Sequence, residues 1–232
     1  MPSITIKATD GAGSFAAYVA EPKKKPAGAV VVIQEIFGVN RSLRDTCDGF
    51  ADMGFLAVAP DLFWRQEPGV DITDKSDAEW AKAFALMKGF NQNRGVEDLK
   101  ATVAAARALP GSTGKVGTVG YCLGGRLAVM MAERSDADVN VSYYGVALDE
   151  LLGDIGKVKA PLLIHIAEKD EFSSPEVLNK VTGGVKGHPH VSAHVYPAVQ
   201  HAFARVGGVH WDGRAAAIAN GRTAEALAAA LG

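Results

Sequence analysis

Cysteine is almost absent from this 232-residue chain, which carries only Cys47 and Cys122. Two thiols cannot build a disulfide framework, and no C-x-x-C pair is present to hold a structural metal or form a dithiol centre. No apolar run approaches the length that spans a bilayer. The opening segment M-P-S-I-T-I-K-A-T-D-G alternates in polarity and reads as neither signal peptide nor membrane anchor. A reducing cytoplasm is the expected setting. An excess of one charge is missing too: 24 Lys and Arg stand against 26 Asp and Glu, a net charge of −2, and no like-charged run exceeds Lys23-Lys24-Lys25. Phosphate recognition needs a basic face, so nucleic acid is not an expected partner. The lysine run reads as a solvated turn.

What the chain has in quantity is apolar residues, 48% against 22% charged. That is enough for the core of one large α/β domain over residues 1–232. Residues 3–20 read as two strands around Asp10-Gly11, a strong hairpin signal. Ala29-Val30-Val31-Val32-Ile33 is a continuous run of the kind buried on both faces. Helical spacing follows over 41–53, then a strand over 55–59 closed by Pro60-Asp61, and a loop over 62–75. The pattern Ser76-x-x-Glu79 opens a helix to Gly89, and Val96–Leu109 reads as another. Further strands are predicted at 116–120, 139–143, 161–167 and 191–196, with helices at about 124–134, 175–182 and 214–231. This alternation implies an α/β fold with a mostly parallel central sheet, helices on both faces and an antiparallel N-terminal hairpin.

The chemistry concentrates at Gly120-Tyr121-Cys122-Leu123-Gly124, between a predicted strand and helix. The pattern matches a nucleophile elbow, G-x-S-x-G, with sulfur replacing the hydroxyl. Side chains at the flanking glycines would obstruct so tight a turn, and the following helix amino terminus favours a thiolate and a developing oxyanion. Such a nucleophile needs an acid and then a histidine on loops after later strands. Asp170 follows the strand at 161–167, and His201 follows the strand at 191–196. Asp149 and Asp154 compete for the acid role but lie one strand early; His210, in the same loop as His201, is its rival. His165 lies inside a strand and reads as a core histidine. His188, His190 and His194 cluster, but no carboxylate or cysteine completes a metal site, and neither metal nor cofactor is expected. Cys47 falls on an apolar helix face as a small buried thiol. Leu123 and Ile36, the latter in the loop Q-E-I-F-G-V-N at 34–40, are the expected N–H donors to an oxyanion. Glu35 is an unusual carboxylate for that position, either a surface charge or a second base acting on the thiol.

Taken together, Q-E-I-F-G-V-N, P-D-L-F-W-R-Q-x-P-G, G-K-V-G-x-V-G-Y-C-L-G-G, V-S-Y-Y-G-V and H-A-F-A-R resemble the dienelactone hydrolase family of α/β-hydrolases along nearly the whole chain. The resemblance implies hydrolysis of a lactone or carboxylic ester through a cysteine nucleophile, with catalytic residues Cys122, Asp170, His201 and Glu35. It implies that Glu35 takes the thiol proton, and that Arg205 contacts both Glu35 and a substrate carboxylate, so that substrate frees the glutamate. Arg65 is a second candidate for binding the anion. The best-known members carry an arginine and a tyrosine where spacing here gives Trp80 and Phe84, and a serine where this chain has Ala202. Trp80 and Phe84, with Phe37, are therefore the expected substrate-contacting side chains. One alternative is a general carboxylesterase or thioesterase with an apolar pocket. Another is a redox thiol protein, which would need Cys47 as a resolving cysteine. A phosphate-loop reading of G-T-V-G-Y-C-L-G-G fails on spacing.

Overall fold

Asp10-Gly11 turns the chain as its composition requires. Gly11 adopts φ 76°, in the left-handed region that glycine tolerates, and Asp10 Oδ1 accepts from Ala12 N at 3.1 Å. The flanking strands, β1 (Ser3–Lys7) and β2 (Ser14–Ala20), pair antiparallel with Ile6 opposite Phe15. In this computed structural model residues 3–232 are described, so the first two residues of the expected 1–232 domain lie outside the described residues. The chain forms two compact units, residues 1–117 and 118–232.

In the first unit, β3 (Ala27–Ile33) is buried at every position and runs parallel to β4 (Leu56–Pro60), which also pairs antiparallel with β2. Its helices are capped by short polar side chains. Asn40 accepts from Leu43 N ahead of α1 (Arg41–Asp52), and Ser76 accepts from Glu79 N ahead of α2 (Asp77–Gly89). The third, α3 (Gln92–Ala108), follows the cap Asn91 and starts four residues before the sequence suggests. Gly95 looks like a helix breaker but serves packing, because a Cβ there would lie 2.3 Å from the Phe90 ring.

The sheet order is β1-β2-β4-β3-β5-β6-β7-β8, and β5 (Ser112–Tyr121) begins in the first unit and ends in the second. In the second unit α4 (Leu123–Arg134) follows β5 directly. Then β6 (Val139–Tyr143), β7 (Leu162–Ala167) and β8 (Val191–Tyr196) are joined in parallel pairs, with α5 (Pro175–Gly184) between β7 and β8 and α6 (Gly213–Leu231) after β8. Neighbouring residues of β5 face opposite ways. A Cβ on Gly120 would meet the carbonyl of Gly124 in α4, whereas Tyr121 stacks on Tyr143, whose hydroxyl reaches Asn220 and Thr223 of α6. Thus α4 and α6 cover opposite faces. Two short 3-10 turns, Leu148–Leu151 and Ile155–Lys157, had no periodicity to announce them.

Candidate active site

Cys122 sits at the join of β5 and α4 with φ 56° and ψ −115°. This conformation disfavours any residue with a Cβ, and such strain concentrates at functional sites. Its surroundings enforce the turn. A Cβ on Gly120 would lie 1.9 Å from Gly124 O, and one on Gly125 would lie 2.5 Å from Tyr143 O. Cys122 N donates to Tyr143 O at 3.0 Å, its carbonyl accepts from Arg126 N, and the residue is 8% exposed. Leu123 is the first residue of α4, so its N–H belongs to the helix end whose donors lack intrahelical partners.

Asp170 and His201 meet in the same unit. Asp170 Oδ2 lies 2.8 Å from His201 Nδ1, and Asp170 Oδ1 accepts from Phe172 N at 2.9 Å. The aspartate thereby fixes which ring nitrogen faces away. That nitrogen, Nε2, makes no hydrogen bond of regular geometry, and the sulfur of Cys122 is the group acting on it. Burial opposes a charged ring, yet the charge of Cys122, the hydrogen bond to Asp170 and the nearness of the Cys122 sulfur outweigh it and raise His201 to about 10. Misaligned catalytic hydrogen bonds of this kind are common before substrate binds. Two rings clamp the imidazole edge-on: Tyr144 at 5.0 Å between centroids and Phe172 at 4.8 Å. Sequence reading missed both. Tyr144 was visible only within V-S-Y-Y-G-V; Phe172 left no signal beyond following Asp170.

Arg205 lies half-buried four residues past His201, its N–H donating to Ala202 O at 2.9 Å. In the first unit Glu35, Ile36 and Phe37 are buried just past β3. Phe37 meets Trp80 edge-on at 5.0 Å, and Trp80 stacks on Phe84 at 5.4 Å, so the three predicted substrate-contacting side chains form one aromatic cluster. Arg65 is engaged elsewhere. Its guanidinium binds Asp98 at 2.8 and 3.1 Å and Asp10 at 2.9 Å, which commits it to structure, not to an anion.

The rivals resolve individually. Asp149 and Asp154 pair with Lys180 and Lys157. His165 is fully buried with Nδ1 2.8 Å from Tyr196 Oη and Nε2 3.0 Å from Thr223 Oγ1, the satisfied core histidine expected. His210 contacts the main chain of His201, not Asp170. Cys47 is buried in α1, and burial pushes its thiol well up. Among the described residues no group of three His, Cys, Asp or Glu side chains is placed to hold a metal ion, and no helix is long and apolar enough to cross a membrane.

Residues 15–231 match the model of the dienelactone hydrolase family. A protein of Azospirillum brasilense that carries a provisional carboxymethylenebutenolidase name is 56% identical over 226 residues, covering 97% of this chain and 96% of that one. The carboxymethylenebutenolidase of Pseudomonas putida is 40% identical over 225 residues, covering 97% and 95%. Among solved structures, a dienelactone hydrolase-like promiscuous phosphotriesterase from metagenomic libraries superposes with a TM-score of 0.83 at 22% identity, over 100% of this chain and 99% of that one, a likeness of fold. With the elbow, the acid–histidine couple and matches along nearly its full length, the chain belongs to the dienelactone hydrolase family.

Proposed function

We propose that this hydrolase of ester and lactone bonds attacks its substrate with the sulfur of Cys122. The observation that carries the reading is the buried Cys122 on a strained strand-to-helix turn, acting on a histidine whose other nitrogen is held by Asp170. Thiolate adds to the substrate carbonyl, and the oxyanion accepts hydrogen bonds from the N–H groups of Leu123 and Ile36. Collapse breaks the acyl C–O bond, the leaving oxygen takes a proton from His201, and a thioester remains on Cys122. Neutral His201 then takes a proton from water, which attacks the thioester and releases the acid and the thiol.

On the family pattern Glu35 takes the thiol proton before attack and returns it to the sulfur when the acid is released, His201 starting the cycle with a proton of its own, and Arg205 receives the substrate carboxylate. The whole of 1–232 is read as one hydrolase domain, because the family match runs from 15 to 231. Two buried free thiols and no disulfide fit a reducing cytoplasm.

The cluster of Phe37, Trp80 and Phe84 favours a second reading of the substrate, an uncharged ester with an apolar acyl or alkyl group. The test compares kcat/KM for dienelactone with that for the same lactone carrying a methylated carboxylate. Preference for the acid supports a lactonase selective for anions; equal or reversed preference identifies an apolar esterase. In both cases Cys122→Ala abolishes turnover while the protein stays folded. Wild-type activity in that variant would overturn the nucleophile assignment.

A further inference from the structure

We propose that His210 is a positioning residue for His201, with the carboxylate of Glu171 beside it; the inference rests on the reading of His201 as the catalytic base. His210 Nδ1 lies 3.1 Å from the main-chain oxygen of His201 and 3.8 Å from Glu171 Oε1. A carbonyl can only accept, so His210 Nδ1 carries the proton and donates, whichever charge state the ring adopts. Adjacent acids on the loop after β7 thus face two histidines on the loop after β8: Asp170 hydrogen-bonds the ring of His201, and Glu171 lies beside the ring that grips its backbone, near enough to act through charge.

The gripped peptide is a critical one. It joins His201 to Ala202, and Ala202 has φ 61°, a left-handed conformation unfavourable for a residue with a Cβ. Beyond it Arg205 N returns to Ala202 O at 2.9 Å and Asp212 N to Phe203 O at 3.0 Å, while Asp212 caps α6 through Ala215 N. Ala202 and Phe203 are buried, Phe203 against Tyr144 and Tyr196, but the stretch that carries His210 is not anchored by apolar burial: Val206 is 71% exposed, Val209 81% and Trp211 41%. Packing holds Phe203, and His210, itself part-exposed, adds a polar contact on the main-chain oxygen of His201. If that contact is lost, the peptide relaxes, the direction of the His201 side chain changes, and Nε2 moves relative to the sulfur.

The experiment compares His210→Ala with His210→Asn, whose side-chain amide can place an N–H where Nδ1–H stands. His210→Ala is expected to lower kcat by roughly 10- to 100-fold with little change in KM, the scale at which a misplaced catalytic group acts. The low-field NMR resonance of the His201–Asp170 proton should broaden or shift in the same variant. His210→Asn restores both, and Glu171→Gln gives a smaller loss of kcat. Wild-type kcat in His210→Ala, an unaltered low-field proton beside a lowered kcat, or no recovery in His210→Asn overturns the positioning role. His201→Ala runs in parallel: full activity there overturns the assignment of His201 as base and this inference with it, whereas an inactive His201→Ala beside a fully active His210→Ala overturns only the positioning role.

Discussion

His165 and His201 lie in the same unit, 0% and 5% exposed, yet their protonation is driven in opposite directions. Burial lowers His165 to about 3, with the positive fields of His194 and Arg222 adding to it. Burial also opposes charge on His201, but the sulfur of Cys122 and the carboxylate of Asp170 reverse the result. His165 has two hydroxyl partners, Tyr196 and Thr223, which satisfy its nitrogens without offering a negative charge. Desolvation alone does not decide the state of a buried imidazole; the charge of its partners does. The strand interior holds a neutral structural histidine, and the loop ends hold a histidine able to carry a proton.

The comparison breaks most sharply if its acid is removed. Asp170→Asn should reduce kcat/KM on the order of 10³–10⁴-fold, because the amide stabilises the wrong tautomer and loses the charge; steady-state kinetics on the best ester measures it. A smaller effect, on stability, should follow His165→Leu. It strips one partner from each of two buried hydroxyls and should cost about 2 kcal/mol in urea denaturation, with kcat/KM of the folded enzyme little changed.

The pH dependence of stability separates the two residues by sign. A histidine lowered from 6.5 to about 3 leaves the folded state with fewer protons than the unfolded one, so its contribution is intact above 6.5 and is lost as pH falls toward 3. A histidine raised to about 10 contributes fully below 6.5 and loses that contribution as pH rises through about 10. Thermal melts across pH should show both limbs. His165→Leu should flatten the acid one and Cys122→Ala the alkaline one; an unchanged alkaline limb in Cys122→Ala would remove the sulfur as the cause.

The smallest effect concerns Glu133 on α4, 7% exposed with neither carboxylate oxygen hydrogen-bonded. Burial raises it to about 7; Arg134, Lys157 and Arg126 pull it down, and Asp154 pushes it further up. The folded state therefore binds this proton more tightly, and stability falls as pH rises from about 4.5 to 7. Glu133→Gln should melt higher than wild type at pH 8 and the same at pH 4; equal melting at pH 8 would show that the carboxylate finds solvent when ionised.

Much of the fold was legible because its signals are local. The hairpin at Asp10-Gly11, the buried run at 29–33, the Ser76 cap and the glycines around Cys122 each state a backbone requirement within a few residues. The strand at 139–143 and that at 191–196 fall where alternation places them. The start of α3 lies at Gln92, ahead of the Val96 where the sequence places it, and Gly95 inside its first turn leaves the space of its absent Cβ to the Phe90 ring. The short turns at 148–151 and 155–157 carry no period to detect.

The site divides in the same way. Cys122, Asp170 and His201 could be proposed from their order along the chain, because each follows a strand whose pattern is its own, and the fold puts Asp170 on the His201 ring. Arg65 suggested an anion contact by residue type alone, and only the fold showed it committed to Asp98 and Asp10. Which residues could be candidates for the chemistry was thus written into local pattern and chain order. The opposite states of two buried histidines, the isolation of Glu133 and the grip of His210 on the His201 backbone came from tertiary structure alone. Each depends on charges and hydrogen-bond partners far apart in sequence, and no local pattern encodes their distance.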